Sequence, residues 1–140
     1  MNIRNQLQRN QLAIISLLVA LTALGYNTWR NELSEHNRTV RAAGFEMLAH
    51  IAELQRITFL AHYDRDTAGG NPRKGWTEVL IMQDLAELMP NQVQMGVAEL
   101  ASAWESNWQN LGQNDGSIEP IEAATDKLRI AIQKTLRELD

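Results

Sequence analysis

Apolar and polar positions follow two different regimes along this chain. Residues Leu12 to Tyr26 read LAIISLLVALTALGY, without a charge and with only Ser16 and Thr22 as polar side chains. Beyond Asn31 the apolar positions recur three and four apart, separated by polar ones. The first regime has the density of a membrane span, and the second has the period of amphipathic helices. A sustained period-two alternation occurs nowhere, so no strand is predicted. The pattern predicts an all-α chain: an N-terminal single transmembrane helix continuing into a small, about four-helix, antiparallel bundle.

A spanning helix wants ~20 apolar residues, whereas the core of a cleaved export signal has ~7–15. Leu12–Tyr26 stands between the two, so its flanks carry the argument. Tyr26 and Trp29 lie where an interfacial aromatic belt would sit, and Arg30 follows as a snorkelling anchor. With Gln11, Asn27 and Thr28 included, a transmembrane helix over 11–29 crosses with modest thinning of the bilayer. Residues 1–10 then form a short tail, 30–41 a juxtamembrane helical stalk and 42–140 the bundle domain. Against a retained signal-anchor stands Ala23-Leu24-Gly25, which has the small-x-small form of a peptidase site. Retention and cleavage near Gly25 both stay open, with belt and length on the side of retention. Ala13, Ser16, Ala20 and Ala23 share one face of the span, and small residues there let another helix approach closely.

Orientation rests on the basic residues. Arg4 and Arg9 precede the span, while Arg30, Arg38 and Arg41 follow it among Glu32 and Glu35. That count does not by itself hold the short tail inside, but a large downstream domain translocates largely regardless of its charge. The expectation is a cytoplasmic N-terminus and an extracytoplasmic bundle.

Within the second regime, Leu33, Val40, Met47, Leu54 and Ala61 lie seven apart and form a continuous apolar seam. The companion positions are irregular, and from Ala42 to Ala61 apolar residues surround most of the helix, as in a helix buried by several neighbours. Thr67-Ala68-Gly69-Gly70-Asn71-Pro72 is a break, with Asn71 as cap and Pro72 at the first helical position. A second helix carries Trp76, Val79, Leu80, Leu85 and Leu88 on its apolar stripe. Pro90 separates it from a third helix, either as a tight corner or as a first-turn proline, and that helix carries Val93, Val97, Leu100, Trp104, Trp108 and Leu111, stopped by Gly112. Ser117 is the expected cap of a fourth, whose stripe runs Ile121, Ala124, Leu128, Ala131, Ile132, Thr135, Leu136 and Leu139.

Composition narrows the chemistry. The 140 residues have net charge −4 with scattered Lys and Arg, so no basic stripe marks a nucleic-acid partner. The absence of cysteine excludes disulfides, thiolate metal sites and CxxC redox chemistry. Glu46, His50 and Glu53 share one helical face at i, i+4 and i+7, yet the order His50-x-x-Glu53 reverses the Glu-x-x-His of di-iron bundles and has no second copy. Asp64-Arg65-Asp66-Thr67-Ala68-Gly69 begins like a calcium loop, but Ala68 and Gly75 fall where ligands are needed. No metal, cofactor or catalytic set is expected, and the chain reads as a non-enzyme. Trp76, Trp104 and Trp108 are the remaining candidates, as core or as the lining of a ligand or partner pocket. The leading expectation is a membrane-anchored, non-enzymatic interaction or accessory protein, bound to other membrane or envelope proteins or to itself. The alternative is a tethered or secreted helical module that binds a small molecule in a Trp-lined pocket.

Overall fold

A computed structural model describes residues 10–66 and 68–139, and all regular structure among them is helical. Arg4 and Arg9, on which the orientation argument draws, lie outside the described residues, as does Thr67 of the expected break. Helix α1 is Gln11–Phe59, followed by a π-helical turn over Leu60–Asp64. Helix α2 is Pro72–Ala86, α3 is Asn91–Asn107 and α4 is Ile118–Glu138. The chain divides into two compact units, one ending at Arg38 and one beginning at Thr39. The first is the N-terminal part of α1. The second holds the rest of α1 with α2, α3 and α4, four helices packed together.

The ends of these helices follow from local chemistry. Asn71 Oδ1 accepts from the backbone N–H of Arg73 at 3.0 Å, and Pro72 occupies the first helical position, where a missing N–H costs nothing. Pro90 precedes α3 with φ −58° and ψ 153°, an extended entry that its ring permits. Gly112 has φ +78°, so the chain turns there through a conformation that a Cβ would oppose. Ser117 departs from expectation. Its hydroxyl donates to the carbonyls of Asn110 and Asn114, at 3.0 and 2.7 Å, and makes no cap to α4. The hydroxyl is used to close the loop behind it.

Pairwise contacts set an up-down-up-down order. His50 on α1 meets Glu78 on α2, and Lys127 on α4 reaches Glu99 on α3. A Cβ on Gly75 of α2 would stand 2.1 Å from Cζ2 of Trp104 on α3. Arg129 on α4 donates to Gln55 on α1, and Gly44 of α1 sits against Leu136. Each helix therefore touches two neighbours and the ring of four closes. The enclosed core draws on all of them: Met47, Ile51 and Leu54, Val79 and Met82, Val93, Leu100 and Trp104, Leu128 and Ile132 are fully buried. Side chains of this size stabilise by roughly 1.5–3 kcal/mol each when removed from water.

The heptad seam is seen in the structure from Val40 onward, since Val40, Met47, Leu54 and Ala61 are buried while Leu33 is 50% exposed. The expected stripe of α2 needs correction. Val79 is buried and Trp76 and Leu85 pack against the core as expected, but Leu80 and Leu88 are about half exposed, and Gly75, Met82 and Ala86 complete the buried face with Val79. These residues recur at four, three and four, a face rotated away from Leu80 because the helix settles where Gly75 can lie beneath Trp104.

Candidate functional site

The first unit is built from the residues that would meet lipid. The helix that runs through it holds an 18-residue apolar window with none of its residues buried, which is long and apolar enough to cross a membrane. Leu12, Leu17, Leu18, Val19, Leu21 and Leu24 are all exposed. Two polar side chains on this stretch are satisfied internally: Thr22 Oγ1 donates to the Leu18 carbonyl at 2.8 Å and Thr28 Oγ1 to the Leu24 carbonyl at 3.0 Å. A hydroxyl bonded to the carbonyl four residues back presents its methyl group outward and needs no water. Ala13, Ser16, Ala20 and Ala23 are exposed along the same helix. Tyr26 and Trp29, one turn apart, bring their rings to 6.2 Å at a tilt of 52°, with Arg30 exposed beside them. Amphipathic rings beside a guanidinium are the side-chain types enriched where helices meet a membrane–water boundary.

In the second unit the three tryptophans separate into two roles. Trp104 is fully buried in the core against Gly75, and its Nε1 has no hydrogen-bond acceptor among the described residues. Trp76 and Trp108 are half-buried and pack edge to face with centroids 6.4 Å apart. Trp108 lies beyond the end of α3 in a short 3-10 turn, Trp108–Asn110, which swings it off the line of Trp104 toward α2. None of the three lines the clefts of about 420, 440 and 350 Å³ elsewhere on this unit.

The expected trio of Glu46, His50 and Glu53 is divided by the packing. Glu53 turns to Arg56, whose Nε and Nη2 donate to its two oxygens at 2.8 and 2.6 Å. This guanidinium holds the Glu53 carboxyl below its ordinary range, and Glu53 in turn raises Arg56. In its place α2 supplies Glu78, with Oε2 at 2.6 Å from His50 Nδ1, while Glu46 stands 3.5 Å from Nε2. Glu78 was not singled out from the sequence, because helical spacing on α1 cannot show which residue of α2 will face it. Both His50 and Glu78 are largely buried, so the pair is a fixed polar link between α1 and α2. Among the described residues no group of three His, Cys, Asp or Glu is arranged to hold a metal ion. Asp66, in the calcium-like stretch, instead accepts the backbone N–H of Ala68 at 2.8 Å. That bond and the Gly69 N–H hold its carboxyl below the usual range.

No family model matches the chain, and the comparisons with curated proteins and with solved structures found no match.

Proposed function

We propose that the chain is a membrane-anchored, non-enzymatic accessory protein, held by residues 11–29 as a single span, whose helical bundle engages other membrane or envelope proteins. The observation that carries this reading is the uncovered apolar helix. Leu12–Tyr26 holds eight Leu, Ile and Val side chains, and its surface is unburied. On the insertion scale such residues contribute roughly −0.3 to −0.6 kcal/mol each, so together they favour the bilayer by a few kcal/mol. Monomeric proteins rarely leave a contiguous apolar surface of this kind in water. The self-bonded hydroxyls of Thr22 and Thr28 remove the polar groups that hydrocarbon would penalise. Tyr26, Trp29 and Arg30 serve as the interfacial anchor, the N-terminus faces the cytoplasm and the bundle is extracytoplasmic. Ala13, Ser16, Ala20 and Ala23 are the face on which a partner's helix, or a second copy's, packs.

Native mass spectrometry of the chain, extracted gently in detergent at its natural level, tests this. A full-length subunit bound to a second membrane protein is the expected result, with the complex weakened by Ala20→Leu and Ala23→Leu. A free subunit beginning at Tyr26 would establish a cleaved export signal. A complex indifferent to both substitutions would remove the packing face.

A second reading draws on the unsatisfied Trp104 indole. A tethered or secreted module would take a ligand that reaches this buried indole only by opening the bundle beside the half-buried Trp76 and Trp108. A saturable shift of tryptophan emission across a metabolite panel is its expected signature, and a silent panel counts against it.

A further inference from the structure

One end of the bundle is formed by two connections, the one between α1 and α2 and the one between α3 and α4. They meet on the backbone of Ala61 in the π-helical turn. A Cβ on Gly70 would stand 2.3 Å from Ala61 N, and one on Gly112 would stand 2.5 Å from Ala61 O. Between the two connections lies a cleft of about 420 Å³, floored by Ala61 and Leu111 and walled by Arg65, Asn71, Arg73 and Gln113. Pockets for small molecules commonly enclose ~300–1,000 Å³, with an apolar floor and a few convergent polar groups.

The polar lining is dominated by donors. Arg65 and Arg73, both exposed, are cationic residues of the lining, and among the described residues neither is paired with a carboxylate. Asn71 Oδ1 is occupied by the Arg73 N–H, which leaves the amide nitrogen of Asn71 as its free polar end. Gln113 adds a second amide. Among the described residues Asp66 is the one acid in the lining, and its carboxylate is engaged by the backbone N–H groups of its own loop. The N-terminal amide of α2 is thus already capped, and the attraction for an anion comes from the side chains.

The backbone holds one of these arginines in a costly conformation. Arg65 has φ 50° and ψ 31°, the left-handed region, where an L-residue's Cβ crowds the following carbonyl oxygen. Its N–H and that of Asp66 both converge on the Leu60 carbonyl, which ends the wide turn and sets Arg65 at the cleft. Strained residues and π-helical turns concentrate where a side chain must be aimed. We propose that this cleft binds a small molecule bearing a carboxylate or phosphate group, held between the guanidiniums of Arg65 and Arg73. Both can present a planar fork of N–H donors to such an oxyanion. The site does not depend on whether the first helix is retained, since all its residues lie beyond Phe59.

The test is an NMR titration of the full chain, labelled with nitrogen-15 in non-ionic detergent, with sodium phosphate and separately with sodium succinate. Sodium chloride at matched ionic strength is the control. The amides of Asn71, Gly112 and Gln113 should shift saturably, with half-saturation below about 10 mM for at least one anion. Phosphate alone would assign a phosphate-bearing ligand and succinate alone a carboxylate-bearing one. Arg65→Gly, which keeps the left-handed backbone, and Arg73→Gln should each weaken binding about tenfold while amides of the core stay in place. The proposal is overturned if neither anion saturates these amides beyond the chloride control, or if saturation is unchanged in both variants.

Discussion

Gly75 and Trp104 illustrate how single residues set this bundle. The indole fills the space where any other residue at position 75 would place its Cβ, so α2 and α3 approach as closely as a bare backbone allows. Gly75→Ala should therefore destabilise the bundle by about 1–3 kcal/mol, the usual penalty of overpacking a filled core. The helix-propensity gain of alanine, about 1 kcal/mol, opposes it and is the smaller effect. Urea unfolding followed by tryptophan emission measures the sum, and a variant as stable as the parent would show that the indole can move aside. Trp104 was legible in the sequence as a core or pocket residue through its spacing from Leu100 and Val97. Gly75 was not, since a glycine inside a helix gives no apolar signal and its partner lies on another helix.

Among the elements, those fixed by local chemistry were readable and those fixed by register were not. Asn71 with Pro72, the entry at Pro90 and the turn at Gly112 all depend on a few adjacent residues, and all appear where they were expected. The seam of Val40, Met47, Leu54 and Ala61 was readable for the same reason. The face of α2 was misjudged because leucine alone cannot reveal which of two apolar arcs will be covered, and Leu80 remains outside. The link between α1 and α2 depends on register as well. His50 holds Glu78 at 2.6 Å in a site where the carboxylate side chain is only 14% exposed. His50→Ala should cost about 1–3 kcal/mol by leaving that carboxylate unpaired, and the double change with Glu78→Ala should cost less than the sum of the two. Thermal or urea unfolding of the cycle measures the coupling. Additive losses would mean that the two groups are held by the helices and not by each other.

At the scale of the whole molecule, the candidate sites lie in two separate units. In the second, burial of Trp104 and the edge-to-face packing of Trp76 and Trp108 could not be read from spacing, which favoured core over pocket without dividing the three between them. The cleft at Ala61 was illegible for a stronger reason: its walls come from segments about forty residues apart, brought together only when two connections meet on Ala61. In the first unit, the candidate residues were visible at once, because a span is a property of composition. The natural absence of cysteine makes its placement directly measurable. Single-cysteine variants Val19→Cys and Gln113→Cys, in sealed native membranes, are treated with a membrane-impermeant maleimide and then again after detergent. The account predicts that Val19→Cys reacts only once detergent is added, while Gln113→Cys reacts in intact membranes from the extracytoplasmic side alone. Equal, rapid labelling of Val19→Cys before and after detergent would contradict a helix lodged in the bilayer.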